Sequence, residues 1–203
     1  NNYQGVIYQA RYRQKKWVKS ELLKIEDFIS IANINFDFKE GVNYFTIHEQ
    51  EGNAKLVRQD KELLSVEILP KHINTQNKRT TQPFISIHQN QKVLYFVSDR
   101  SGGLGGLDIW LTIVDKDNNF GIPINAGPKV NSKSDEITPF YNHNDGKLYF
   151  SSNRENGSGG FDVYSSSGSL NLWSEVDNFE YINSEFDETH LTFFSEEKIY
   201  FSS

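Results

Sequence analysis

The 203-residue sequence contains no cysteine and no methionine, and only 5 prolines. Without thiols there is no disulfide framework, no thiolate metal site and no cysteine redox chemistry, a composition that fits any compartment. No apolar run approaches the ~20 residues needed to cross a bilayer as a helix, so no membrane span is expected. With neither an initiating methionine nor a signal peptide, the chain reads as a piece of a longer protein whose targeting signal lies elsewhere. Basic residues are outnumbered 21 to 27, and the net charge of −6 argues against a surface that tracks phosphates. Nucleic acid is therefore not an expected partner. The densest basic run, RYRQKKW at residues 11–17, reads as a solvated hairpin edge.

Glycine is also sparse, at 14 residues, yet four of them fall within five positions: Gly102, Gly103, Gly105 and Gly106. Self-comparison explains the cluster. KVLYFVSDRSGGLGGLDIW (residues 92–110) returns as GKLYFSSNRENGSGGFDVY (residues 146–164). Ser98 matches Ser152, Arg100 matches Arg154, and Asp108 matches Asp162. Gly103, Gly105 and Gly106 match Gly157, Gly159 and Gly160, while Gly102 faces Asn156. EKIYFSS (residues 197–203) begins another copy, and GVNYFTI (residues 41–47) is a degenerate one without the Ser-x-Arg or the glycine loop. The stretch VNSKSDEITPF (residues 130–140) is echoed by INSEFDETHLT (residues 182–192).

Aromatics make up 14% of the chain, and each unit of about fifty residues shows short alternating stretches rich in aromatic and β-branched residues. In the best unit the expected strands are residues 83–88, 93–98, 107–114 and a weaker 122–126; Asp145-Gly146 marks a tight hairpin in the next. Four antiparallel strands per unit predict an all-β fold, a β-propeller. The predicted division is a half blade (1–27), a degenerate blade (28–78), two blades (79–130 and 131–183) and the start of another (184–203). This is a partial propeller whose two half blades are expected to stay apart, leaving an open, self-associating arc. Leu94, Phe96, Leu148, Phe150, Ile199 and Phe201 should share one sheet face and Tyr95, Tyr149 and Tyr200 the other, both faces buried between blades.

The motifs LYFVSDRSGGLGGLDIW and LYFSSNRENGSGGFDVY resemble the TolB-type, WD-like propeller repeat, in the version found in OmpA-family envelope proteins of Bacteroidetes-type bacteria, some similar to gliding and type IX secretion components. The resemblance implies a periplasmic or outer-membrane-associated protein, with envelope proteins or glycans as partners. It is weak before residue 78, and in the last unit His190 or Leu191 stands where others have Pro83 and Pro139, predicting a different start to that blade.

The glycine loop does not fit a dinucleotide site, because Asp108 replaces the third glycine and a strand replaces the helix. It is expected instead to be structural: Gly105 and Gly106 reach positive φ, Asp108 and Asp162 accept from loop amides, and Arg100 and Arg154 donate to carbonyls or carboxylates. Asp115, Asp117 and Asn119 imitate a calcium loop, but Phe120 and Ala126 occupy its glycine and glutamate positions, which leaves a hairpin tip. The histidines (His48, His72, His88, His143, His190) have no ligand spacing, although His143 and His190 come from comparable regions. Asp135, Glu136, Asp187 and Glu188 are assigned to linkers between blades. With no nucleophile elbow, sialidase box or placeable carboxylate pair, the reading is a non-catalytic interaction platform with no cofactor. The alternative is the propeller of a glycan hydrolase or peptidase whose catalytic part is missing.

Overall fold

A computed structural model describes residues 7–13, 16–23, 30–49, 52–60, 66–88, 90–195 and 198–203. Residues 14 and 15 of the basic run and the flanks of the first predicted unit (1–6 and 24–27) lie outside them. The elements are β1 (Ile7–Arg13), β2 (Lys16–Leu23), β3 (Ser30–Asp37), β4 (Val42–His48), β5 (Ala54–Asp60), β6 (Val66–Ile68), β7 (Thr80–His88), β8 (Gln91–Ser98), β9 (Asp108–Val114), β10 (Ile124–Asn125), β11 (Glu136–Asn142), β12 (Lys147–Ser152), β13 (Asp162–Ser169), β14 (Leu172–Trp173), β15 (Asp177–Asn178), β16 (Thr189–Ser195) and β17 (Lys198–Ser202). Every element is a strand, as the repeat predicted.

Three antiparallel sheets carry four or more strands: β3–β6, β7–β10 and β11–β15. β1–β2 and β16–β17 form separate two-stranded sheets. The fourth strand is short, three residues in β6 and a dipeptide in the next two sheets, where Asn125 pairs with Trp110 and Asn178 with Tyr164. β14 is an additional hairpin arm on β13, pairing Gly168 with Trp173.

Alternation on the second strand of each sheet builds the core between sheets. Leu94 and Phe96 of β8 face backwards, into a cluster with Tyr44, Leu56, Ile73 and Trp110. Val93, Tyr95 and Val97 face forwards, into a cluster with Tyr141, Leu148, Phe150 and Tyr164. Tyr149 continues the pattern against Leu191, Phe193 and Ile199. A strand buried on both sides is the consequence of stacking sheet on sheet around an axis, so Tyr95 is fully buried and Tyr149 is 6% exposed. The third copy departs from expectation. Tyr200 is 59% exposed, because among the described residues no further sheet packs on the far side of β17, and Phe201, on the opposite face, is 39% exposed.

The inner strands β3, β7, β11 and β16 share one irregularity. Each has a register shift against its partner, and each places a non-glycine residue in the left-handed region: Asn33 (50°), Gln82 (53°), Thr138 (51°) and His190 (55°). Such a shift is a β-bulge. Proline follows in two cases, as Pro83 and Pro139, and a bulge tolerates it because the ladder is already interrupted. Ile34 and Leu191 take that place in the other two. The last blade therefore starts as its neighbours do, contrary to the expectation drawn from its missing proline: the bulge is set by pairing, and proline only fits it.

Candidate functional site

The sheets have two ends with different chemistry. At one end lie the glycine loops between β8 and β9 and between β12 and β13. Asp108 caps the first, accepting from Leu104 N (2.6 Å), Gly105 N (3.0 Å) and Asn125 Nδ2 (2.8 Å). Asp162 does the same from Ser158 N (2.7 Å). Ser98 and Ser152 accept from Arg100 Nε and Arg154 Nε. Arg154 then reaches Val130 O (2.6 Å) and Glu136 Oε1 (3.2 Å), whereas Arg100 reaches His72 O and Ile73 O. Both guanidinium groups lie over aromatic rings of their own blade, Arg100 over Phe96 and Trp110 and Arg154 over Phe150 and Tyr164. Burial lowers the Arg100 guanidinium to a pKa of about 10.

The glycines work differently from the expectation. Gly102 (92°) and its counterpart Asn156 (71°) adopt the left-handed backbone, but Gly103, Gly105, Gly106, Gly157, Gly159 and Gly160 do not. A Cβ on Gly105 would sit 2.7 Å from Ser132 O and against Ser134 O; one on Gly159 would sit 2.6 Å from Ser184 O and against Phe186 O. Added side chains at Gly103, Gly106, Gly157 and Gly160 would meet the carboxylates of Asp108, Asp135, Asp162 and Asp187. Gly105, Gly106, Gly159 and Gly160 are required by contact with the next blade's linker, and Gly103 and Gly157 by the capping carboxylate of their own loop, not by backbone handedness. Across this clasp Asp135 accepts from Leu107 N (2.7 Å) and Asp187 from Phe161 N (2.8 Å). Glu136 is fully buried, accepting from Ser132 N, Ser132 Oγ and Ser152 Oγ as well as Arg154, and burial pushes its carboxyl above the usual range. Three linker asparagines were missed in the sequence: Asn74, Asn131 and Asn183 each bond both the N–H and the C=O of one third-strand residue, Leu56, Ile109 and Val163. Their shared context, Ile-Asn or Val-Asn before Ser or Thr, is the signal that could have found them.

At the opposite end, where the β3–β4, β7–β8 and β11–β12 hairpins turn, a cavity of about 970 Å³ opens among the inner strands. Its lining comes from four sheets, through residues 35–39, 84–87, 140–145 and 192–195, with Lys92. Phe84, Phe140 and Phe193 form an aromatic wall across three of them, with ring centroids 4.9 Å and 5.8 Å apart. Phe38 and Phe194 stand exposed at the mouth, the former edge-on to Phe36 at 4.7 Å. Tyr141 is held by ring contact with His88 at 3.5 Å, and His88 Nε2 lies 2.5 Å from the Tyr95 hydroxyl. Burial depresses the His88 imidazole to about 4.

Two carboxylates belong to this mouth. Asp37 takes Lys39 N (3.0 Å) and Glu40 N (3.2 Å) on one oxygen and pairs with Lys92 Nζ (3.1 Å) on the other. Asp145 accepts from Lys147 N (3.0 Å), Asn142 Nδ2 (3.1 Å) and the Tyr149 hydroxyl (2.8 Å), and burial with that bond raises the phenol's pKa. None of the residues singled out in the sequence motif lines the cavity. His143 lines it and His190 occupies a bulge, so the two are not equivalent positions. Asp115 accepts from Asp117 N and Asn119 N in an exposed turn. Among the described residues no three His, Cys, Asp or Glu side chains cluster as metal ligands, and no helix is long and apolar enough to cross a membrane.

No protein family and no curated protein matches the sequence. Solved structures do match the fold. A thermostable family-43 glycoside hydrolase aligns with a TM-score of 0.59 at 15% identity over 93% of this chain and 71% of its own. The GH93 α-L-arabinofuranosidase of Fusarium graminearum, solved with arabinobiose, aligns at 0.54 and 10% over 86% and 58%. TolB from Acinetobacter baumannii aligns at 0.53 and 15% over 85% and 40%. The chain thus spans less than two thirds of the last two. At these identities the likeness establishes the fold, an all-β propeller. It also overturns the expectation that the chain is no enzyme. That expectation rested on missing catalytic motifs, and the structures sharing the architecture are mostly glycoside hydrolases.

Proposed function

We propose that this chain is the propeller of a glycoside-hydrolase-type protein and that its axial cavity takes a glycan. The observation that carries the reading is the composition of that cavity: an aromatic wall, Phe84–Phe140–Phe193, beside the carboxylates of Asp37 and Asp145. Sugar rings present apolar C–H faces that suit aromatic side chains and hydroxyls that suit carboxylates and amides, a combination typical of concave ligand sites. Hydrolysis of a glycosidic bond uses two carboxyl groups, one protonating the leaving oxygen and the other activating water or attacking the sugar. Asp37 and Asp145 are the candidates for that pair. The likeness to arabinan-active propellers supports an arabinose-containing substrate as the first to try. The repeat's resemblance to envelope proteins supports a glycan of the cell envelope.

The test is release of reducing ends from arabinan by the chain and by its Asp37→Asn and Asp145→Asn variants. Asparagine keeps the turn-capping oxygen but sets an amide NH2 against Lys92 Nζ or the Tyr149 hydroxyl, so each variant should melt somewhat below the parent and is assayed below its own midpoint, where kcat should fall by about 10³-fold or more. Undiminished turnover in the double variant would reject the assignment.

A further inference from the structure

We propose that Asn33 and His190, set at the inner-strand bulges, form the floor of the axial cavity and hydrogen-bond an uncharged sugar residue seated there. The inference rests on the glycan reading above and adds residues that the cavity lining itself does not include. Each bulge residue lies two positions before the first cavity-lining residue of its strand: Asn33 before Asn35, Gln82 before Phe84, Thr138 before Phe140, and His190 before Thr192. The four occupy equivalent places on the inner strands, two residues further from the hairpin turns than the cavity lining.

A left-handed backbone is cheapest for glycine, and for a β-branched residue such as Thr138 it is a genuine strain. None of the four positions uses glycine. Asn33, Gln82 and Thr138 carry uncharged hydrogen-bonding side chains, and partial desolvation lowers the pKa of the half-covered His190 imidazole. The bulge belongs to the repeat, and at each position it re-aims the side chain it carries.

Two of the four are committed to the scaffold. Gln82 Oε1 accepts from Thr138 N (2.7 Å), and the Thr138 hydroxyl donates to Ser151 Oγ (3.1 Å). The other two meet each other from the first and last inner strands: Asn33 Nδ2 stands 3.4 Å from His190 Nε2 in an exposed setting. That contact is long and weak, while His190 Nδ1 is steadied by Thr189 Oγ1 at 3.0 Å. A sugar hydroxyl can exchange for it at little cost and bridge both groups. The charge balance favours a neutral ligand. Of the two lysines lining the cavity, Lys92 is held by Asp37 and Glu40, and Lys39 sits out on the exposed turn.

The experiment is calorimetric titration of the whole chain with arabinobiose and, separately, with digalacturonate, together with the variants Asn33→Ala, His190→Ala, His190→Gln and Phe140→Ala. Arabinobiose should bind the parent chain and digalacturonate should not. Asn33→Ala and His190→Ala should each weaken binding by about tenfold in titrations run below their melting temperatures, which the left-handed backbone lowers modestly, and His190→Gln, which keeps a donor, should recover most of the binding. If Phe140→Ala abolishes binding while Asn33→Ala and His190→Ala bind as the parent, the floor assignment is wrong and the glycan site stands. Preference for digalacturonate would overturn the uncharged ligand. Failure of the parent to bind either sugar or to cleave arabinan would remove the glycan reading and this inference with it.

Discussion

Arg100 and Arg154 occupy the same place in successive blades, follow the same serine, and lie over the same pair of aromatic positions, yet they are compensated differently. Arg154 has a carboxylate, Glu136, buried beside it; Arg100 has Thr80 at the matching register, because Thr80 pairs with Ser98 as Glu136 pairs with Ser152. Thr80 donates instead to Ile73 O (3.3 Å), and Arg100 is left with Ser98 Oγ, two backbone carbonyls and two rings. The difference shows what the repeat conserves. Its fixed quantity is the position of a flat, five-donor group against a linker backbone, and the counter-charge is optional.

Three sets of substitutions would break or sharpen that comparison. The largest effect should come from what the two junctions share: Gly105→Ala and Gly159→Ala each drive a methyl into linker backbone, and each should cost more than about 3 kcal/mol in chemical denaturation. A small loss at one junction alone would mean that its clasp is looser than its twin. Next, Glu136→Gln strips the counter-charge from Arg154 and should cost on the order of 3 kcal/mol, against about 1 kcal/mol for Thr80→Val. Equal losses would show that the carboxylate adds nothing beyond its hydrogen bonds. The smallest effect should be Gly102→Asn, within about 0.5 kcal/mol, since Asn156 already holds that left-handed position in the next blade.

The fold was legible because the pattern that specifies it is local and repeated. LYFVS and LYFSS alternate within five residues, and their 54-residue offset fixes the blade as the unit. The clasp was half legible. Asp108, Asp162, Arg100 and Arg154 stand out by recurrence, but the reason for Gly105 and Gly159 lies in a linker some 25 to 30 residues away, a contact that only folding creates. The candidate site was not legible. Asp37, Phe84, Phe140 and Phe193 come from four blades and meet only because the inner strands share an axis, so no spacing joins them. The bulges left almost no mark either, since Asn, Gln, Thr and His have no residue type in common, and the prolines that follow two of them read simply as strand starts. The third copy shows the opposite limit. IYFSS has the pattern of a buried strand, but exposure depends on the neighbour, and Tyr200 lacks the one that covers Tyr149.

The clasps and the cavity lie at opposite ends of the same strands: β8 leaves its hairpin at Gln91 beside the cavity and arrives at Ser98 beside the glycine loop. Variation at the hairpin turns, including changes of length between Asp37 and Gly41 or between Asn142 and Gly146, is thereby insulated from the joints that hold blade to blade. Such a molecule can be retargeted by natural selection or by engineering one turn at a time, because specificity and integrity are written at different addresses.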